Sequence, residues 1–189
     1  MILFVRHGET DWNKLGIMQG QLDTHLNETG KKQAENLKSY IEHEPIDLII
    51  CSPLKRATET AEIINNGRNI NILFDDRIKE RDFGEFEGTF ASDFDFNSFW
   101  SYKKNIEYKK AENIKHFFDR IYGFINSIKN SYPEKNILIV AHAGVSIPFK
   151  CYFDGIPSQE TLADLKLGNG KYAKFFYSQP QQKQNKIKN

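Results

Sequence analysis

The chain opens on an unbroken apolar run, Met1-Ile2-Leu3-Phe4-Val5, which stops at Arg6-His7-Gly8. A short run of this kind, closed by a glycine, predicts a buried β-strand. Asp11 to Thr24 is polar and reads as a loop, with Gly16 and Gly20 in it. Asn27 is a helix cap. Gly30, Ala34, Leu37 and Ile41 then recur at helical spacing and predict a helix over about 28–43, broken by Pro45. Asp47-Leu48-Ile49-Ile50-Cys51 predicts a second buried strand. Ser52-Pro53 reads as N-cap and first residue of a helix over about 53–65, ending near Asn66-Gly67. That places Arg56 in the first turn, just past the strand.

Ile70 to Phe74 predicts a third strand, followed by a loop from Asp75 to Gly88 that holds Glu80 between glycine-rich flanks. From Thr89 to Lys110 the pattern loses its period and turns aromatic, with Phe90, Phe94, Phe96, Phe99, Trp100 and Tyr102. A long irregular segment of this sort reads as a cap over a site. Ile114, Phe117, Phe118, Ile121, Phe124, Ile125 and Ile128 mark one face of a strong amphipathic helix. Asn136 to Ala141 predicts another buried strand, with His142-Ala143-Gly144 at its end and a helix over about 144–153 behind it. Tyr172 to Tyr177 predicts an edge strand entered by a turn around Gly168-Asn169-Gly170, and residues 180–189 are expected to fray.

Strands alternating with helices predict a three-layer α/β/α sandwich on a mostly parallel sheet. The 189 residues fit one domain over 1–189, with the cap segment, about 89–110, inserted before the long helix. Composition changes this picture little. The chain is 39% apolar and 27% charged with a net charge of +1, which favours neither nucleic acid nor membrane as a partner. No apolar run reaches membrane-spanning length. Because the first residues already form a strand, no signal peptide is expected, and the protein is expected to be cytoplasmic. Two cysteines, Cys51 and Cys151, give neither a disulfide framework nor a zinc spacing.

In open α/β sheets ligands bind outside the carboxyl ends of the strands. Arg6, His7, Arg56 and His142 all fall at such ends, so they are expected to converge on one rim. Two arginines, two histidines and a helix start make an anion site. The planar guanidinium matches phosphate oxygens bidentately, and helix N-termini add free N–H groups. With no acidic cluster to hold a metal, such a site would take phosphate directly, and no cofactor is called for. A neutral imidazole can act as nucleophile, and neighbouring cations keep it neutral. Glu80 is the best-placed carboxyl to protonate a leaving group.

The residues Arg6-His7-Gly8-Glu9-Thr10-Asp11-Trp12-Asn13 resemble the signature of the histidine phosphatase superfamily, in its phosphoglycerate mutase-like branch. The resemblance continues through Gln19-Gly20, Asp23, Leu26 and Gly30. It resumes at Ser52-Pro53-Leu54-Lys55-Arg56-Ala57-Thr58-Glu59-Thr60-Ala61, at Glu80 to Gly88, and at Val140-Ala141-His142-Ala143-Gly144. The resemblance implies that His7 takes the phosphoryl group. It implies that Arg6, Arg56 and His142 hold its oxygens, helped by Asn13 and the main-chain N–H of Ala143, with Gln19 and Gly20 among the substrate-binding residues. It implies that Glu80 protonates the departing alkoxide and then deprotonates the attacking water, and that no metal takes part. A bound dianion favours the protonated form of a nearby carboxyl, so Glu80 is expected to act as an acid mainly in the complex.

Three readings follow. The expected one is a phosphatase of a small phosphorylated metabolite. A phosphoglycerate mutase-type transferase is the first alternative, but such mutases resemble longer chains with an insertion that is missing here. A non-catalytic phospholigand-binding module is the second, disfavoured by the full set of catalytic residues. A cysteine phosphatase is excluded by spacing, since Cys51 and Arg56 have four residues between them rather than five, and the loop lacks glycine. Short members of the resembled family include α-ribazole, fructose bisphosphate, phosphoserine and broad-specificity phosphatases. An aromatic cap suits a substrate with a flat or apolar group. Where the family is expected to show Gly-Glu-Ser, this chain has Ala111-Glu112-Asn113, and Glu112 is a candidate to face the site. Lys103, Lys104, Lys109 and Lys110 read as a solvated face. The edge strand leaves a homodimer open.

Overall fold

A computed structural model of the chain describes residues 1–177. The expected fraying of residues 180–189 lies outside the described residues. In chain order the elements are β1 (Ile2–Arg6), α1 (Asp11–Leu15), α2 (Glu28–Tyr40), β2 (Leu48–Cys51), α3 (Lys55–Asn65), β3 (Ile72–Phe74), α4 (Phe96–Phe99), α5 (Ile114–Ser131), β4 (Ile137–Ala141), α6 (Ala143–Asp154) and β5 (Tyr172–Phe175). The sheet runs β3-β2-β4-β1-β5, and β5 alone is antiparallel to its neighbour.

Successive side chains of a strand point to opposite faces of the sheet. Here both faces are apolar, which is why the strands read as continuous hydrophobic runs. Ile2, Phe4, Leu48, Ile50, Ile137 and Ile139 point into one core with the buried faces of α5 and α6. Leu3, Val5, Ile49, Cys51, Leu138 and Val140 point into the other with Leu37 of α2 and Ala57, Ala61 and Ile64 of α3. The seven apolar residues marked along α5 are all buried. The result is a three-layer α/β/α sandwich on a mostly parallel sheet.

Three local expectations need correction. The stretch from Asp11 to Thr24 is not all loop: Thr10 caps the short α1 through a capping box with Asn13. The helix after β2 begins at Lys55, with Leu54 rather than Ser52 at its N-cap. Ser52 precedes a proline and is held extended, and its hydroxyl is engaged by His142 instead. The carboxylate of Asp23 reaches across to accept from the Lys55 N–H at 2.7 Å, doing the work of a cap. Finally, the irregular stretch after residue 89 contains a 3₁₀ turn at Ala91–Asp93 and the single-turn helix α4.

The strand order decides where the chemistry gathers. Because β4 lies between β1 and β2, the three strand ends carrying Arg6-His7, His142 and Ser52 sit side by side. Arg6 is in register with Ala141, His7 N–H donates to the Ala141 carbonyl at 3.0 Å, and Ser52 N–H donates to Val140 at 3.0 Å.

Candidate active site

A pocket of about 180 Å³ opens at these carboxyl ends. Its floor is Arg6, His7, Arg56 and Glu80, with Ala143 and Gly144 at the start of α6. Asn13, Gln19 and Gly20 close one side, while Phe83, Phe96 and Trp100 form an apolar wall on the other. Of the catalytic and substrate-binding residues expected from sequence, His142 does not line the pocket, and neither does the further candidate Glu112. His142 is fully buried behind His7, with ring centroids 5.2 Å apart.

The tautomer of His7 follows from its contacts. Its Nδ1 lies 2.7 Å from the carbonyl of Gly8. A carbonyl only accepts, so Nδ1 carries the proton and Nε2 keeps a free lone pair. Burial, then the charges of Arg56 and Arg6, hold the imidazole well below its usual range, so it is neutral at pH 7. His142 is likewise held well below the usual range, by burial and then by Arg56. Its Nε2 meets Ser52 Oγ at 2.7 Å, and its Nδ1 is buried with no partner in the protein.

Both arginines are braced through carbonyls and not through carboxylates. Arg6 donates to Leu167 O at 2.8 Å. Arg56 donates to Leu22 O at 2.8 Å and Gly20 O at 2.7 Å. The Nε of each is buried without a partner. Burial lowers both guanidinium groups to about 10, offset in part by Glu80, so both remain charged at neutral pH. The backbone around His7 is packed closely against α2: a Cβ on Gly8 would stand 2.3 Å from the Gly30 carbonyl. That explains glycine at both positions.

Glu80 is 7% exposed and held from two sides. Its Oε1 accepts from Arg81 N–H at 2.8 Å and its Oε2 from Gly144 N–H at 2.9 Å. The loop beneath it is clamped by Arg120, which donates to the carbonyls of Arg77 and Lys79 at 2.6 and 3.1 Å. Glu112 belongs to this clamp. It pairs with Arg120 at 2.7 and 2.8 Å, so it buttresses the Glu80 loop and does not face the pocket.

The other candidates sort as follows. Asn13 and Gln19 line the pocket while their side-chain oxygens are engaged by Thr10. None of Lys103, Lys104, Lys109 and Lys110 lines it, and Lys104 pairs with Glu160 at 2.7 Å. Cys51 is fully buried and its thiol is pushed up by burial, which leaves no thiolate for chemistry. Among the described residues no group of three His, Cys, Asp or Glu side chains is placed to hold a metal ion. No helix among them is long and apolar enough to cross a membrane.

Sequence reasoning missed Ser52 as a partner of His142, Arg81 and Lys166. Arg81 is fully buried, with its guanidinium 3.6 Å from the centroid of Phe99 and donating to Phe99 O at 2.6 Å and Glu112 O at 2.8 Å. It ties the aromatic segment to the residue beside Glu80. Its place directly after Glu80 was the available signal. Lys166 lines the pocket from a segment with no pattern of its own.

An imidazole with a free nitrogen, two buried guanidinium groups and an N–H-bearing helix start around one small cavity describe a site for a tetrahedral anion. The comparisons agree with that chemistry. The uncharacterized phosphatase PhoE of Bacillus subtilis (strain 168) is 41% identical over 141 residues, covering 75% of this chain and 70% of its own. Phosphoserine phosphatase 1 of Hydrogenobacter thermophilus is 30% identical over 158 residues, covering 80% and 74%. The solved structure of Bacillus stearothermophilus YhfR superposes with a TM-score of 0.81 at 29% identity, over 90% of this chain and 88% of that one. The family model of the histidine phosphatase superfamily (branch 1) matches residues 2–189, and to that superfamily the chain belongs.

Proposed function

We infer that the protein is a metal-independent phosphatase that hydrolyses a small phosphate monoester through a phosphohistidine on His7. The observation that carries this reading is the convergence, in one pocket, of a neutral His7 with a free Nε2, the cations Arg6 and Arg56, and the carboxyl of Glu80. His7 Nε2 attacks phosphorus as the ester P–O bond breaks, and the leaving alkoxide takes the proton of Glu80. Glu80, now a carboxylate, removes a proton from water. The resulting hydroxide attacks phosphorus, the P–N bond breaks, and orthophosphate leaves with His7 and Glu80 restored. Arg6, Arg56 and the N–H groups at the start of α6 neutralise the charge on the phosphoryl oxygens. His142 backs His7 from behind the pocket, its ring held by Ser52 Oγ.

The test is hydrolysis of para-nitrophenyl phosphate with EDTA present, by wild type and His7→Ala. Turnover by wild type that falls at least about a thousand-fold in the variant supports the reading. Undiminished turnover in the variant would place the nucleophile elsewhere. Acid quench of wild type during turnover should also trap an acid-labile phosphoprotein.

A further inference from the structure

The phosphate site accounts for the floor of the pocket and leaves one cation at its mouth without a role. Lys166 lines the pocket with its ammonium 4.6 Å from the centroid of the Phe96 ring. Lysines elsewhere pair with carboxylates outside the pocket, as Lys104 does with Glu160 and Lys174 with Glu44. Lys166 has no carboxylate within 4.0 Å among the described residues. Asp164 and Glu80 act on it only from longer range, and the charge of Arg6 opposes theirs.

The backbone beside it is held through Leu167. The Leu167 carbonyl accepts from Arg6 at 2.8 Å, and Leu167 N–H donates to Ser146 Oγ at 2.9 Å. Ser146 Oγ in turn donates to the Ala143 carbonyl at 2.6 Å, at the start of α6. The backbone that carries Lys166 is therefore tied to the phosphate-facing arginine and to the helix start. Lys166 is exposed to solvent at the pocket edge, and no protein carboxylate competes for its charge, so an anion entering the pocket can take it as partner. The phosphoryl group on the floor already has Arg6, Arg56 and the α6 N-terminus.

Resting on the phosphatase reading above, we propose that Lys166 is a specificity-determining residue that binds a second anionic group of the substrate. The preferred substrates are then phosphate monoesters whose alcohol portion also bears a carboxylate or a further phosphate. The alcohol portion lies along Phe83, Phe96 and Trp100, with the phosphoryl group at His7 and the second anion at the mouth.

The probes are two isosteric pairs, phospholactate with its amide and para-carboxyphenyl phosphate with its carboxamide. Each pair differs by one negative charge remote from phosphorus. In wild type, kcat/KM for the better pair should favour the carboxylate by about five-fold, as expected for one partly exposed ion pair. Lys166→Ala should bring that ratio to one or below, and Lys166→Arg should keep it above one. Because the readout is a ratio within each variant, a general loss of activity cancels. A ratio near one for both pairs in wild type overturns the proposal. So does a Lys166→Ala variant that slows both members equally, because Lys166 would then serve the phosphoryl group. If wild type turns over none of the four, the phosphatase reading fails first. The same ratio is then read as Kd by calorimetry with His7→Ala, and equal affinities for acid and amide overturn the Lys166 assignment on its own.

Discussion

Gly144→Ala is the sharpest test of how Glu80 is held. A Cβ at residue 144 would stand 2.1 Å from Glu80 Oε1 and 2.6 Å from Trp100 Cη2. An ordinary contact is about 3.5 Å, so the carboxylate must retreat by about 1.4 Å. Trp100 cannot take up the strain, because it is 1% exposed and packed against Phe83, Phe99 and Phe117. The retreat breaks the 2.9 Å bond from Gly144 N–H to Glu80 Oε2. Losing a hydrogen bond to a charged group costs about 1.5–3 kcal/mol, and overpacking adds about 1–3 kcal/mol. In a protein of this size that lowers Tm by roughly 5–25 °C. A misplacement of about 1 Å at a catalytic group costs on the order of 100-fold in rate. The two effects separate by choice of substrate. Para-nitrophenolate leaves with little help from an acid, whereas an alkoxide needs the proton of Glu80. Glycerol 3-phosphate hydrolysis should therefore fall on the order of ten times further than para-nitrophenyl phosphate hydrolysis, both measured well below the Tm of the variant. Equal losses on the two substrates, or an alkyl phosphate rate above about a tenth of wild type, would refute the reasoning.

Stability should depend on pH through the two buried histidines. His7 and His142 are held below the usual range in the folded protein but titrate normally once unfolded, so below about pH 6.5 the unfolded chain binds more protons. Tm is then flat above pH 7 and falls on acidification, and His142→Gln should flatten the slope; a Tm insensitive to pH between 5 and 7 contradicts the assignment. Ser52→Ala removes the hydroxyl that fixes the His142 ring and should raise KM about ten-fold with a smaller change in kcat, while Ser52→Thr restores KM. Inorganic phosphate or vanadate should raise the wild-type Tm in proportion to the logarithm of ligand concentration, and Arg56→Ala should abolish that rise.

The layers and central strands were legible because both faces of β1, β2 and β4 are covered, which turns each of them into an apolar run that needs no tertiary information. The convergence of Arg6, His7 and Arg56 was legible for the same reason, since each lies at the carboxyl end of such a run. Other features depend on distance in space. Ser52 looked like a helix cap by every local rule, and only the insertion of β4 between β1 and β2 brings it against His142. Glu112 sits close to the expected family position. Its partner Arg120 lies eight residues on, two turns into α5, and turns it away from the pocket. Lys166 follows a short 3₁₀ turn with no periodicity, and its place over Phe96 comes from the pinning of Leu167 by Arg6. Arg81 stands in the resembled block directly after Glu80, and only the fold brings Phe99 and Trp100 over it.

The buried polar atoms without partners show what the site is built to receive. Arg6 Nε, Arg56 Nε and His142 Nδ1 are buried and have no hydrogen-bond partner among the described residues. Each such atom costs on the order of 1–3 kcal/mol when it goes unmet. Others occur at Arg81, Trp100, Asn105 and Tyr177, but these three belong to the cations and the histidine gathered at the strand ends. The arginines are held by carbonyls and not by carboxylates, so their positive charge is left uncancelled and aimed at the pocket. A carboxylate partner on either arginine would have stabilised the empty protein and weakened its hold on an anion. Glu80 is the one acidic side chain on the pocket floor, and its two oxygens are turned to the N–H groups of Arg81 and Gly144. The arrangement keeps that carboxyl beside the cations without letting it pair with them, which suits the hydrolysis through His7 proposed above.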